Sequence, residues 1–513
     1  MQPRNSTETP TTLDVLVVGA GVSGIGMACH LRRSFPGKTF AILERRQAIG
    51  GTWDLFRYPG IRSDSDMCTF GYQFRPWTGP TILADGPAIK QYLIDTAREY
   101  RLEERIHFGR KVLRADWSSA ERRWTVEVQR ESDGQRQLYR ARFVVGCTGY
   151  YNHDAGHDPE LAAESTFQGR IVHPQRWPEG LDYTGKRVVV IGSGATAITL
   201  VPAMTDRAAH VTMLQRSPTY VLSVPAIDPQ VGLWRRLPPG VGYRLARARN
   251  IGLARLLYVL SRSRPQAMKR LLLAQVRRQL RGTVDMRHFT PDYDPWEQRL
   301  CVVPNGDLFR ALRQGKATVV TDHIESFTPS GLRLRSGEEL PADIVVKATG
   351  LELQMLGGVE IRVDGRTVRS NEHMVYKGVL IQDVPNAAMM FGYTNIAWTL
   401  KVDLACAYLC RLFQHMDERG YDQVVPRDHD GVAVEGTILG SLSAGYIRRA
   451  ADRLPRQGQR APWKVLDDYL RDAWNLRMGS IEDPALDFSR ARAHDGQGKQ
   501  VQVVPTQMPP HLS

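Results

Sequence analysis

Asp14-Val15-Leu16-Val17-Val18-Gly19-Ala20-Gly21-Val22-Ser23-Gly24 decides the fold. Val15 to Val18 is a short apolar run rich in β-branched side chains, the pattern of a strand buried on both faces of a parallel sheet. Glycines at 19, 21 and 24 then suit a tight turn that lets a pyrophosphate approach the backbone. Ile25 to Arg33 reads as a helix whose amino end faces that negative charge. Lys38 to Glu44 reads as the next strand. Glu44 stands 20 residues past Gly24, where a carboxylate can accept both hydroxyls of a ribose. Loop, context and acid together point to a dinucleotide. The alternative is a glycine turn that only packs helix on strand.

The pattern recurs. Lys186 to Ile191 is a second buried strand and runs into Gly192-Ser193-Gly194-Ala195-Thr196-Ala197. Val211 to Leu214 is the strand that follows. The position matching Glu44 falls near Gln215-Arg216. An acid there would repel a 2′-phosphate, whereas arginine pairs with one in bidentate fashion. The second dinucleotide is therefore expected to be NADPH rather than NADH, with Ser217 as an additional hydroxyl donor. Asp343 to Lys347 is a further strand, ending at Ala348-Thr349-Gly350. Strand, loop, helix and strand twice over predict an α/β fold with two Rossmann-like doubly wound domains. Pro87 to Tyr100 is expected to be helical, and Trp124 to Gln129 and Phe143 to Val145 to be strands.

A chain of 513 residues is too long for one core and long enough to enclose a large cofactor. The net charge of +14 raises the question of nucleic acid. Its distribution argues against that: Val231 to Val284 holds thirteen Lys or Arg and no Asp or Glu. No nucleic-acid motif occurs there, and aromatics are not interleaved with the charges. This block reads as a mostly helical insertion with a solvated arginine face; contact with a membrane surface is the less favoured reading. Six scattered cysteines form no C-x-x-C pair. No metal site or thiol redox centre is expected, and a reducing cytoplasm fits.

One stretch selects among flavoproteins with two nucleotide sites. Phe167 to Pro178 has the spacing F-x-G-x-x-x-H-x-x-x-W-P, through Phe167, Gly169, His173 and Trp177. This resembles the fingerprint of type I Baeyer–Villiger monooxygenases. A second family pattern runs from Gly51-Thr52-Trp53 through Tyr58-Pro59-Gly60 to Asp64. Asn305-Gly306-Asp307-Leu308-Phe309-Arg310 and Gly392-Tyr393-Thr394-Asn395 are similar to the ethionamide-activating subgroup. The resemblance covers the chain except its termini.

The resemblance implies FAD on the first loop, with Gly19, Gly21, Ser23, Gly24, Glu44, Thr52, Trp53, Asp64 and Val112 as contacts. It implies NADPH on the second, with residues 192 to 197, Arg216 and Ser217. The implied reaction converts a ketone to an ester with O2, through a C4a-peroxyflavin, and extends to sulfides or thioamides. The alternative is oxygenation of sulfur or nitrogen without useful ketone activity. Pro295-Trp296-Glu297-Gln298-Arg299-Leu300 resembles the family segment that holds its catalytic arginine. Arg299 is assigned that role, and Asp64 the role of orienting it. Many relatives place Lys before this Arg; here Gln298 stands there. His173 is expected at the junction of the domains rather than in chemistry. The implied layout is an FAD domain in two parts, 1–150 and 381–488, and an NADPH domain in two parts, 165–220 and 297–380. Residues 221–296 form the insertion, and 489–513 a disordered tail.

Overall fold

The computed structural model describes residues 10–490 apart from 231–235, 239, 299, 441 and 443. Arg299 and the expected tail beyond residue 490 lie outside the described residues.

Two sheets with parallel cores carry the two glycine loops. In the first, the Thr11–Val18 strand lies between Phe40–Leu43 and Arg136–Gly146, parallel to both. Leu16 and Val17 are fully buried, which is why this strand is apolar on both faces. The Val22–Ser34 helix covers one side with Ile25, Met27, Ala28, Cys29 and Leu31. Arg110–Ser118, Arg123–Arg130 and Arg136–Gly146 form an antiparallel meander on the same sheet. The expected strands at 124–129 and 143–145 are segments of these longer ones. The helix expected from Pro87 spans Gly86–Glu99 and buries Ile89, Tyr92 and Leu93.

The second sheet has five parallel strands in the order Ala317–Thr321, His210–Gln215, Arg187–Ile191, Ile344–Lys347 and Arg170–Val172. The Ala195–Met204 helix follows its glycine loop. The chain then returns to the first sheet. Glu360–Val363 pairs in parallel with Arg110–Ser118, and Ala387–Met389 with Arg136–Gly146. The return is under way by Glu360, ahead of the boundary expected at 381. Glu360-Ile361-Arg362-Val363 is a short, half-buried strand whose four residues are too few for the alternation of polar and apolar side chains to stand out.

The insertion leaves and re-enters through adjacent strands, Val221–Val224 and Cys301–Pro304, which pair in parallel. Between them, among the described residues, lie the long helices Val241–Ser263 and Pro265–Leu280. The first is fastened to the domain of the first sheet. Arg247 is buried and donates to the carbonyls of Cys68 at 2.7 Å and Gly71 at 2.8 Å. Tyr243 donates to Cys68 O at 2.9 Å. One arginine of the basic block is thus a buried anchor rather than a solvated charge. Ser489 closes the Leu486–Ser489 strand, so the first residue of the expected tail is ordered.

Candidate functional site

A single cleft of about 1960 Å³, its open mouth included, runs between the two domains. It begins at the first glycine loop. Gly19, Gly21, Ser23, Glu44, Thr52, Trp53, Asp64 and Val112 line it, and so do Ala195 and Thr196 of the second loop. Both loops therefore open on one space, at the carboxyl ends of their sheets, where ligands of open α/β sheets bind. Gly24 lies beneath the first turn, packed against Gly19.

Glu44 is 4% exposed. Its two oxygens accept the backbone N–H groups of Ala20 at 2.7 Å and Arg46 at 2.8 Å. Burial pushes its carboxyl above the usual carboxylate range, against the pull of these two donors. Each oxygen keeps a free lone pair, so the arrangement fits a ribose diol. Behind the turn sits Asp54, whose side chain is almost wholly buried. It accepts from Arg46 Nε at 2.5 Å and Lys90 Nζ at 2.6 Å. Burial alone would raise the Asp54 pKa; the bonds from Lys90 and Arg46 outweigh it and hold it low. This cluster pins the Gly50–Leu55 turn that presents Thr52 and Trp53.

Trp398, at the start of the Trp398–Arg419 helix, lines the same cleft. Its Nε1 donates to Ser23 Oγ at 3.0 Å, and its ring stacks on Tyr150 with centroids 5.1 Å apart. Gly392 makes room for it: a Cβ there would lie 2.2 Å from the indole Cδ2. That is the physical content of Gly392 in the Gly392–Asn395 motif. Tyr393 of the same motif donates to the buried Asp472 at 2.6 Å.

The Tyr58–Asp64 segment joins the two nucleotide units. Tyr58 is buried, with its hydroxyl beside Thr196 and Thr199 on the second-loop helix. Gly60 has φ +78°, and a Cβ there would meet Thr199 O at 2.6 Å. Arg62 pairs with Asp307 of the Asn305–Arg310 motif at 2.6 Å. Two stretches resembling one family thus meet as an ion pair across the domains.

At the second loop, a Cβ on Gly194 would touch nothing, so the backbone there is open to a phosphate. Ser193 Oγ donates to Ser217 O at 2.9 Å, which ties the loop to the segment carrying Arg216. Arg216 and Ser217 are exposed, and Ala197 is buried in the helix core. A residue missed in the sequence belongs here. Arg449, from the Gly445–Ala450 helix, lays its guanidinium over Gly350, with Nη2 3.7 Å from where a Cβ would sit. Partial burial and the charge of Arg216 hold the Arg449 pKa below its usual value, against Glu352. Two cations close enough to feel each other, one over Gly350 and one on the segment tied to the second glycine loop, suit a phosphate. No local signal marks Arg449, since 233 residues separate it from Arg216. His153 was missed for the same reason. It lines the cleft, and burial with the nearby Arg46 and Arg45 lowers its pKa to about 4, so it is neutral at pH 7.

The fingerprint lines no part of the cleft. Phe167 is buried against Phe327, with ring centroids 5.5 Å apart. Gly169 is held between Phe167 and Asp343. Trp177 packs against the core of the second domain. The His173 ring lies against Gly156, where a Cβ would come within 2.1 Å of its Cε1. Burial lowers the His173 pKa. Gln175 donates to Asn152 O at 2.7 Å, and Thr349 to His157 O at 2.5 Å. Buried Lys347 takes Asp158 at 2.6 Å and Glu164 at 2.9 Å. Together these contacts clamp the crossover between the domains to the second sheet.

Among the described residues, no group of His, Cys, Asp and Glu could hold a metal, and no helix is long and apolar enough to cross a membrane.

Comparison with known proteins agrees with this layout. Residues 13–391 match the family described as flavin-binding monooxygenase-like. The putative FAD-containing monooxygenase MymA of Mycobacterium tuberculosis is 54% identical over 483 residues, covering 93% of this chain and 98% of that protein. The probable FAD-binding monooxygenase AlmA of Acinetobacter baylyi is 53% identical over 480 residues, covering 93% and 96%. The FAD-containing monooxygenase EthA of M. tuberculosis is 50% identical over 489 residues, covering 94% and 99%. Among solved structures, an oxidised steroid monooxygenase bound to NADP superposes with a TM-score of 0.72 at 24% identity, covering 94% of this chain and all of that one. An ε-caprolactone-bound cyclohexanone monooxygenase gives 0.71 at 20% identity, with the same coverage. These two likenesses are of fold, and they match the two dinucleotide-binding domains read from the glycine loops. The motifs, the site they build and the relatives over nearly the full chain agree: this chain belongs to the flavin-binding monooxygenase-like family.

Proposed function

We propose that the chain is an NADPH-dependent Baeyer–Villiger monooxygenase that converts ketones to esters and also oxidises sulfides or thioamides. The observation that carries the reading is the single cleft onto which both glycine loops open, with Asp64 in its wall. FAD fits the first loop. Glu44 takes the ribose hydroxyls, Val112 borders the nucleotide end, and Thr52, Trp53 and Trp398 border the rest. NADPH fits the second, with its pyrophosphate over Gly192 to Ala195 and its 2′-phosphate taken by Arg216 and Arg449. When bound, the flavin supplies hydride acceptance from NADPH and activation of O2, which no side chain can supply.

The chain's own part is to orient, to exclude water and to place charge. Arg299, two residues before the cleft-lining Cys301, is the fixed cation assigned to the developing oxyanion. Guanidinium suits that task because it stays protonated at every working pH. Asp64 is assigned the role of orienting it and tempering its charge. Neutral His153 adds no competing charge. The fingerprint residues act at the crossover, holding the domains in register without touching substrate.

The test is anaerobic reduction by NADPH, followed by oxygen and a panel containing a methyl ketone and a thioether. Bleaching of the flavin band and an ester heavier than its ketone by one oxygen atom support the reading. Sulfoxide with no ester from any ketone would replace it with sulfur oxygenation alone.

A further inference from the structure

The outer face of the basic insertion is apolar. Along the Val241–Ser263 helix, Val241, Leu245, Leu256 and Val259 share one side at helical spacing, and all four are exposed. Leu256 is 53% exposed. Arg244, Arg255 and Arg262 line one flank of this stripe. The opposite side carries Ala246, Arg247 and Ile251, which are buried. A surface helix ordinarily turns its apolar stripe inward; here a second stripe faces water.

A neighbouring element adds exposed apolar side chains. Arg255 pairs at 2.9 Å with Asp468, which caps the Tyr469–Arg477 helix. That helix turns Leu470 and Trp474 outward, and Met478 follows one turn later. Trp474 is 69% exposed. Soluble monomers rarely leave large apolar side chains grouped in this way.

The charge selects the occupant. Residues 231 to 284 carry thirteen cations and no acid; Arg247 is buried, and Arg249 and Arg255 pair with Asp228 and Asp468, which leaves the block strongly positive. A second copy docked through a twofold axis would set this block against itself, cation against cation. An anionic lipid surface complements it. Outward Leu and Trp bordered by Arg is also the pattern of a helix lying in a bilayer interface. We propose that this face docks on an anionic membrane, with the Val241–Ser263 helix in the headgroup plane. The contact is peripheral, since five arginines within that helix preclude spanning.

The inner side of the same helix is fastened to the cleft wall. Tyr243, Arg247 and Asn250 bond the Asp66–Gly71 segment, and Phe70 of that segment lines the cleft. The bilayer surface then lies one helix diameter, about 10 Å, from the cleft. This inference stands apart from the reaction proposed above, and its readout needs no turnover.

The experiment floats full-length, flavin-loaded protein with vesicles of phosphatidylcholine alone or mixed with phosphatidylglycerol, at low and high salt. Light scattering on the same sample measures self-association. Two variants are compared, Leu256→Glu with Trp474→Glu, and Arg244→Gln with Arg262→Gln. All four side chains are exposed and none borders the cleft, so flavin content and NADPH oxidation stay unchanged and confirm folding. Wild-type protein is expected to float with the anionic vesicles only, and to be released by salt. The glutamate pair lowers partitioning at least tenfold, and the glutamine pair about fivefold per cation removed. Absence of flotation, or equal flotation by all three proteins, overturns the proposal. So does a dimer that the glutamate pair splits, which would make the occupant a second copy.

Discussion

Replacing Gly392 with alanine tests whether the Gly392–Asn395 motif exists to seat Trp398. Gly392 does not occupy the left-handed region, so alanine is unstrained in the backbone, and the nearest atoms its methyl meets are those of the Trp398 ring. The new Cβ would lie 2.2 Å from Cδ2 and 2.5 Å from Cε3 of Trp398. Overpacking of this kind costs about 1 to 3 kcal/mol. If the indole swings away, it also loses the bond to Ser23 Oγ, about 1 kcal/mol, and the stack on Tyr150, of similar size. Ser23 lies on the first glycine loop and Trp398 lines the cleft, so the loss falls on flavin binding. The dissociation constant of FAD, measured by fluorescence titration of the apoprotein, is expected to rise at least tenfold. Trp398→Ala removes the ring that the new methyl strikes. The double variant is therefore expected to bind FAD no worse than Trp398→Ala alone, a departure from additivity that marks direct contact. Unchanged FAD affinity in Gly392→Ala, or additive effects in the double variant, would refute the reasoning.

Arg299→Ala is expected to bind FAD and to be reduced by NADPH yet yield no ester; normal ester yield would remove Arg299 from the chemistry. Arg216→Ala removes charge-assisted bonds worth about 1.5 to 3 kcal/mol. It should cut the preference for NADPH over NADH in kcat/KM by about 10- to 100-fold, and Arg449→Ala should cut it in the same direction by less. An unchanged preference in both variants contradicts the paired-cation reading. His153 has its pKa lowered to about 4, chiefly by burial. The unfolded chain therefore takes up a proton near pH 6.5 that the folded chain refuses, and stability falls as pH drops from 6.5 toward 4. His153→Gln should flatten that decline in thermal unfolding of the flavin-loaded protein, and an identical acid limb in both proteins would contradict it.

The nucleotide units were legible because their signals are local. Val15 to Gly24 and Glu44 lie within one βαβ unit, and spacing alone brings them together. What escaped notice depends on distant partners. Trp398 meets Ser23 across 375 residues. Asp54 gathers Arg46 and Lys90, and nothing in their spacing shows that the fold buries the carboxylate between them. Tyr58 and Gly60 show their purpose only once the second-loop helix packs on them. The insertion is a case of partial legibility. Helical periodicity shows that Leu245, Leu256 and Val259 share a stripe, but it cannot say on which side of the helix the protein lies. Arg247, assigned with its neighbours to a solvated face, is buried because the backbone carbonyls of Cys68 and Gly71 take its donors.

The account rests on two nucleotide sites serving one oxygen transfer in a shared cleft. Its most direct test supplies NADPH, a ketone and isotopically heavy O2 to the purified yellow protein and weighs the product. The account predicts an ester carrying one heavy atom, formed with one NADPH consumed for each ester. NADPH consumption that yields hydrogen peroxide and leaves every ketone untouched, or an ester without the heavy atom, would contradict it.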